Sequence, residues 1–509
     1  MAQYSYTFAN WYGGMSDNPY VTGDAQFVDG AQLDIRTYAP SIWPQIWFTE
    51  AFTTTSTTQM LCAVDGFAFG EWWKIYYLPT WTNVKTMTDT KSIKTAVRRK
   101  WYYVWFYANA SNAVTVWKIA VSDADTSSWT WWSYDETRNP SWWTTYDILD
   151  SSCHVPVCQF EWQLIVGNKN QVLVISGDDG SEVTTQWLTW LSEDVMWLAN
   201  EWSRIAIYLK NGRKLFRDWV SASFNEAKKF DMEIRHVYDA WWYQYVVGGH
   251  DFSYSELFVA AWYDLRKLKD QATNSFIKCT TGANNWMATF NGITYMSWVY
   301  ATLDTTDYCV YSYWAYHNWL PAAWNMERWK TNNGNTIRDI TMIHIYGWVL
   351  YVWYYDATAA EYWVDRADIK ITYNFYGIGM LASGSSLTSS YLTTKVFDWW
   401  PKQRHLKKRI KSLRVTWDFQ NAASALTIKY QDVINYGMAS RKWLAEYWYD
   451  NSAFTTLASI VNTDSNYGQW IYTTDVDVEF FALQLRILFD DADAKLTQIT
   501  IEYDLLPQP

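Results

Sequence analysis

The residues best suited to chemistry in this chain are few and scattered. Cys153-His154-x-x-x-Cys158 sets three soft ligands within six residues, but no second Cys/His cluster completes a tetrahedral zinc site. A loop with reduced thiols is the plainer reading, since five cysteines at 62, 153, 158, 279 and 309 are an odd and sparse set for a disulfide framework. Gly177-Asp178-Asp179-Gly180-Ser181-Glu182 has the composition of a calcium loop without the alternating acidic positions and terminal Glu of an EF-hand, which leaves a solvated turn. The histidines, at 154, 236, 250, 317, 344 and 405, are unpaired in sequence. No Gly-x-Ser-x-Gly elbow, phosphate-binding loop or His-Glu-x-x-His occurs. No catalytic residue, metal or cofactor is therefore expected. Carboxylates are plentiful, and a glycosidase pair is a matter of spacing in three dimensions that sequence does not report.

One charge run stands out: Lys402-Gln403-Arg404-His405-Leu406-Lys407-Lys408-Arg409-Ile410-Lys411 holds six of the 41 basic residues. Nucleic-acid contact, such as DNA in a channel, is its sharp reading. A solvated face, or contact with an acidic neighbouring subunit, is the commoner one. The whole chain argues against an anionic partner, with 52 acidic side chains and a net charge of −11. No apolar run approaches the ~18 residues of a membrane-spanning helix. Met1-Ala2-Gln3-Tyr4-Ser5-Tyr6 has neither the basic end nor the apolar core of a secretory leader.

The elements that must hold these residues are strands. Bursts of a turn residue followed by an apolar run open at Gly66, Trp101, Trp162, Trp202, Trp241, Gly292 and Trp348, on average about 47 residues apart, the period of propeller blades. A further strand follows several bursts, as in Lys74-Ile75-Tyr76-Tyr77, Gln171-Val172-Leu173-Val174 and Lys214-Leu215-Phe216. The expectation is an all-β chain: a seven-bladed β-propeller over residues 51–375, followed by a C-terminal β-sandwich over 376–509. A large sandwich with irregular hairpins is the competing architecture. Residues 1–50 read as a turn-rich lead-in, in which Leu33-Asp34-Ile35-Arg36-Thr37 offers a strand to close the ring. Small polar residues at Leu381–Ser386 mark the passage to the last domain. Beyond it Leu413–Asp418, Leu483–Ile487 and Ile499–Asp504 alternate with period two.

The burst positions hold an anomaly. Tight hairpin turns often need φ > 0, which glycine tolerates and a bulky side chain does not, yet five of the seven positions carry Trp. Over the chain Trp occurs 38 times and Gly only 21 in 509 residues, where glycine normally supplies ~7%. Three explanations compete: an aromatic sugar-binding platform, a compositional quirk, and UGA codons translated as Trp in a lineage that reads them as Gly. The third is favoured, because it restores turn chemistry at many sites at once. Trp470, inside a strand-like run, reads as a natural tryptophan.

Gly13-Gly14-Met15-Ser16-Asp17, Leu33-Asp34-Ile35-Arg36 and the closing strands between Leu485 and Tyr503, together with the propeller-then-sandwich order, resemble virion structural proteins of tailed bacteriophages. The likeness is to their propeller-bearing tail hub, nozzle and DNA-stabilising components. It implies a non-enzymatic ring or hub protein of the virion that acts by assembly with other virion proteins and copies of itself. A carbohydrate- or receptor-binding propeller is the alternative, and a glycan-cleaving enzyme the third reading.

Overall fold

The computed structural model describes residues 3–9, 11, 29–31, 33–34, 43–44, 49–50, 59–70, 74–86, 93–108, 114–124, 126–129, 133–135, 155–160, 163–175, 184–188, 191–201, 204–218, 224–240, 243–251, 254–261, 264–267, 275–276, 286–290, 292–301, 306–314, 323–327, 337–372, 375–378, 391–395, 397, 406–419, 425–432, 454–461, 468–489 and 495–506. Among these the fold is nearly all β, in many small antiparallel sheets, with one 3-10 turn at Val121–Asp123.

Between Met60 and Ile378 the strands form successive antiparallel meanders, each paired in chain order. The first sheet runs Met60–Val64, Phe67–Gly70, Lys74–Tyr77, Thr82–Thr86, and the second Ile93–Arg99, Tyr102–Ala108, Val114–Ala120, Ser133–Asp135. The third is Val157–Phe160, Gln163–Asn168, Gln171–Ile175, Thr184–Leu188, and the fourth Val195–Glu201, Arg204–Leu209, Arg213–Asp218, Phe224–Lys229. Glu233–Asp239, Gln244–Asp251, Tyr254–Ala261 and Asp264–Lys267 make the fifth. In the sixth, Ser275–Phe276 and Met287–Phe290 both pair with Ile293–Ala301, which is followed by Thr306–Trp314 and Ala323–Glu327. The seventh comprises Ile337–Tyr346, Val349–Asp356, Glu361–Thr372 and Phe375–Ile378. The follow-on strands anticipated at Lys74, Gln171 and Lys214 are the third strands of their sheets.

Burial explains why second strands read as continuous apolar runs. Ile205 to Leu209 and Leu350 to Tyr354 are buried on both faces, as a middle strand must be when its sheet is packed between two others. The fourth strand of the first sheet, Thr82–Thr86, buries only Val84. The buried clusters alternate with the sheets. One joins the first and second sheets around Phe67, Phe69 and Trp105. Others join the second to the third, the third to the fourth and the fourth to the fifth. A larger cluster spans the fifth to the seventh. The last sets Met342, Tyr351, Trp353 and Val364 of the seventh sheet against Met60, Ala63, Ala68 and Tyr76 of the first, so the contacts return to their start.

Two further sheets contain both ends of the chain. Gln3–Ala9, Lys495–Leu505, Lys408–Phe419 and Gly468–Phe480 form one, in that order. Asp29–Ala31, Tyr391–Thr393, Leu483–Phe489, Ala425–Asp432 and Thr455–Val461 form the other. Their buried side chains share a cluster that includes Phe8, Leu413, Val415, Ile428, Leu485, Ile487, Ile499 and Ile501. Residues 1–50 are therefore divided. Gln3–Ala9 and Asp29–Ala31 belong with the C-terminal strands, Leu33–Asp34 pairs locally with Trp43–Pro44, and Thr49–Glu50 pairs with Asp365 and Arg366 of the seventh sheet. The tie to the last meander thus comes from Thr49–Glu50 and not from Leu33-Asp34, whose partner lies ten residues on.

The period-two reading of Leu483–Ile487 also needs correction. All five residues are buried. Gln484 donates to the Thr394 carbonyl at 3.0 Å, and Arg486 donates through Nε to Thr393 Oγ1 at 3.0 Å. The Arg486 guanidinium also lies over the rings of Phe454 and Tyr391. Polar residues that find partners indoors look like a solvated face when only the sequence is read.

Candidate interaction surfaces

Four of the seven burst positions are described, and each lies in the hairpin between the first and second strands of its sheet. Val64 pairs with Phe67 across Asp65-Gly66, Arg99 with Tyr102 across Lys100-Trp101, Phe290 with Ile293 around Gly292, and Tyr346 with Val349 across Gly347-Trp348. Trp162, Trp202 and Trp241 lie outside the described residues. Their flanking pairs are Phe160 with Gln163, Glu201 with Arg204 and Asp239 with Gln244.

The turns come in two conformations. In the first two sheets the left-handed residue is the first of the turn, Asp65 at φ 48° and Lys100 at φ 46°. In the seventh, Gly347 at φ 58° and Trp348 at φ 68° are both left-handed, the geometry in which Asn-Gly is the preferred sequence. Trp101 is 74% exposed and Trp348 46%, two of the three large exposed hydrophobic side chains among the described residues. Trp348 meets the edge of the Phe290 ring from the sixth sheet, with centroids 4.9 Å apart.

Where the seventh sheet meets the first, a polar cluster forms that sequence reading missed. His344 lies on the first strand of the seventh sheet, and its Nε2 donates to the Asp65 carbonyl at 2.8 Å. Burial pushes the imidazole below its ordinary range, and the Asp65 carbonyl opposes that shift only in part. The Asp65 carboxylate accepts from Arg98 Nη1 at 2.8 Å and from the Tyr103 hydroxyl at 3.0 Å. Burial, and then the Asp65 charge, push the Tyr103 phenol up to about 12. Nothing in the local sequence announced this group, because His344 and Asp65 are 279 positions apart.

The basic run is answered from within the chain. Lys402 to His405 lie outside the described residues, and Lys407 onward leads into a strand flanked by carboxylate-bearing strands on both sides. Lys407 Nζ pairs with Glu479, Arg409 with Asp477 at 3.1 Å and Glu479 at 2.8 Å, and Lys411 with Asp504 at 3.4 Å. These contacts hold Glu479 below the usual carboxylate range, Lys407 and Arg409 donating to it. Lys408 points the other way and is buried, its ammonium donating to the carbonyls of Leu406 and Phe481. The run is the basic row of an ion-paired sheet face.

Among the described residues the remaining chemistry-bearing side chains form no metal site. Cys153, His154 and Gly177 to Glu182 lie outside the described residues. Cys158 and Cys62 are buried free thiols, and burial raises both well above the ordinary range, which makes them poor nucleophiles. Among the described residues no group of three or more His, Cys, Asp or Glu side chains is placed to hold a metal ion. In the fourth sheet Lys214 and Glu201 form a buried pair at 2.7 Å, the ammonium also facing the rings of Phe216 and Tyr208. Beside it the Tyr208 hydroxyl donates to Gln244 Oε1 at 3.1 Å. Burial lowers the Lys214 pKa and Glu201 partly restores it; the pair ties the first and third strands of one sheet.

No family model and no curated protein matches the chain. Among solved structures it is similar to the computationally designed Ika8 protein, at 11% identity and TM-score 0.34 over 67% of this chain and 98% of that one. It is also similar to the N-terminal domain of Nup159, at 10% identity and TM-score 0.35 over 64% and 98%. An exo-β-1,3-galactanase from Phanerochaete chrysosporium aligns at 9% identity and TM-score 0.29 over 87% and 100%. Likeness at this level carries no argument, and the reading of this protein rests on its own sheets. No helix among the described residues is long and apolar enough to cross a membrane.

Proposed function

We propose that the chain is a seven-bladed β-propeller joined to a C-terminal β-sandwich, and that it serves as a non-enzymatic structural component of a tailed-phage virion, a ring or hub of the tail or neck. The observation that carries the reading is that both ends of the chain meet in one pair of sheets, with the seven meanders inserted between them. Of the strands between Leu485 and Tyr503, which bear the phage resemblance, Lys495–Leu505 pairs with the N-terminal Gln3–Ala9, and Leu483–Phe489 lies one strand away from Asp29–Ala31. In support of the propeller, the first strands of most successive sheets touch, and the first strand of the seventh touches that of the first. The fifth and sixth are linked by the Tyr238 hydroxyl, which accepts from the Thr289 amide at 3.0 Å. The partners are other virion proteins and copies of this chain.

The test is the assembly state of the native particle. A ring component buries at least about 1,000 Å² against each neighbour and closes by rotational symmetry. The expected result is a fixed, symmetric copy number in purified virions. A protein that is monomeric at high concentration and absent from particles overturns the proposal. A second reading, a carbohydrate- or receptor-binding propeller, is favoured by one observation: exposed indoles at Trp101 and Trp348 occupy matching hairpins. It requires those residues to be tryptophan.

A further inference from the structure

We infer that Trp101 and Trp348, and with them the unassigned burst positions Trp162, Trp202 and Trp241, are glycine in the protein its native host makes, the UGA codon being read as Gly. The inference is independent of the virion reading and rests on backbone geometry, exposure and comparison among the sheets.

At the hairpin between first and second strands, the described sheets offer the two residues side by side. Gly66 and Trp101 each follow a left-handed first residue, Asp65 and Lys100. A Cβ on Gly66 would come 2.9 Å from the Tyr346 ring, so in the first sheet a side chain at this position would have to displace that ring. In the second sheet the same position leaves an indole three-quarters in water, without the packing that a side chain of this size normally gains. Gly292 and Trp348 both adopt φ > 0, at 80° and 68°. A bulky residue there is a genuine outlier, whereas glycine is the default.

Buried indoles give a second line. Trp353 is buried with no acceptor for its N–H among the described residues. The indole N–H groups of Trp129, Trp197, Trp286 and Trp363 are likewise buried without one, although a buried Trp usually finds a partner. Trp11, which donates to the Thr497 carbonyl at 3.1 Å, is the contrasting case. The excess of 38 Trp over 21 Gly then has one cause, with the turns as its visible part. On this inference the hairpin face is bare backbone, and the aromatic platform of the second reading does not exist.

The deciding experiment is peptide mass spectrometry on protein isolated from the cells or particles that produce it naturally, covering Arg99–Val104 and Tyr346–Trp353. Peptides with glycine at 101 and 348, each lighter by the whole indolylmethyl group, are the expected result. A peptide with tryptophan at full mass at either position overturns the inference, whatever the protein's place in an assembly.

Discussion

Replacing Trp348 by Gly and by Ala tests the backbone argument by sign rather than by size. Both substitutions delete the same indole and the same edge contact with Phe290, worth roughly 0.5–1.5 kcal/mol, so that loss cancels between them. What remains is the left-handed backbone at φ 68°. An L side chain there costs roughly 1–2 kcal/mol, a charge that Ala retains and Gly escapes. Opposing it is the greater freedom of glycine in the unfolded chain, about 0.5–1 kcal/mol. Gly should therefore exceed Ala by about 1 kcal/mol, roughly a fivefold change in the folded-to-unfolded ratio. Trp348→Gly itself should be nearly neutral against Trp, relief of strain offsetting the lost ring contact. Equilibrium urea unfolding of the full chain, with hydrogen exchange of the amides from Tyr346 to Leu350 as the local readout, measures the difference. Trp101 supplies the control, because in its hairpin the left-handed residue is Lys100. At 101 the order should reverse, Ala lying above Gly by a few tenths to about 1 kcal/mol. If Ala equals or exceeds Gly at 348, the strain argument fails there.

Three other outcomes follow from the geometry. Desolvation holds the half-buried His344 imidazole below the ordinary ~6.5 in the folded chain, while the unfolded chain takes up the proton first. Stability should be full above that value, decline as pH falls through it, and level off below the folded pKa. His344→Gln should flatten the slope, and a pH series of unfolding midpoints from pH 8 to about 5 checks it. Lys214→Met should destabilise by about 3–5 kcal/mol, because it strands Glu201 in the interior. Adding Glu201→Gln should recover part of that loss in the same denaturation assay. Lys407, Arg409 and Lys411 already face carboxylates, so duplex DNA should show no salt-dependent retention by the chain, and reversing Arg409 to Glu should change nothing. A steep loss of binding between about 50 and 200 mM salt would restore the DNA reading of this run.

The hairpins were legible because their signals are local. A turn residue between two apolar runs marks where a strand reverses, and the strands flanking Gly66, Trp101, Gly292 and Trp348 pair across those positions. The interrupted first strand of the sixth sheet, Ser275–Phe276 and Met287–Phe290, was read only in its second part. Everything set by long-range pairing was hidden. Gln3–Ala9 looks like an undistinguished tail until it meets Gln498 to Asp504. The basic run looks like a surface for anions until strands some 70 to 90 residues later bring Glu479 and Asp504 beside it. Arg486 and Gln484 imitate a wet face because their partners, Thr393 and Thr394, sit on another strand. Period-two alternation reports polarity, and polarity equals exposure only when no partner waits inside.

Joining the chain ends in one sheet is physically inexpensive. Closing a loop costs entropy that grows only as the logarithm of its length, about 0.6 kcal/mol for each doubling. A ladder spanning nearly the whole chain is therefore little harder to form than one spanning half of it. Against that cost stand the seven cross-strand pairs from Gln3 to Ala9, the buried ring of Phe8 and the stacking of Tyr4 on Tyr503 at 5.6 Å. The strand also covers an edge of Lys495–Leu505 that would otherwise offer open hydrogen-bonding groups to other chains. On the far side of that sheet, Gly468–Phe480 is unpaired on its outer flank among the described strands and carries Asp475, Asp477 and Glu479 in alternation on its exposed face. Charge discourages indiscriminate strand addition at such an edge. The sheet therefore ends in Gln3–Ala9 on one side and in the charge-bearing strand Gly468–Phe480 on the other.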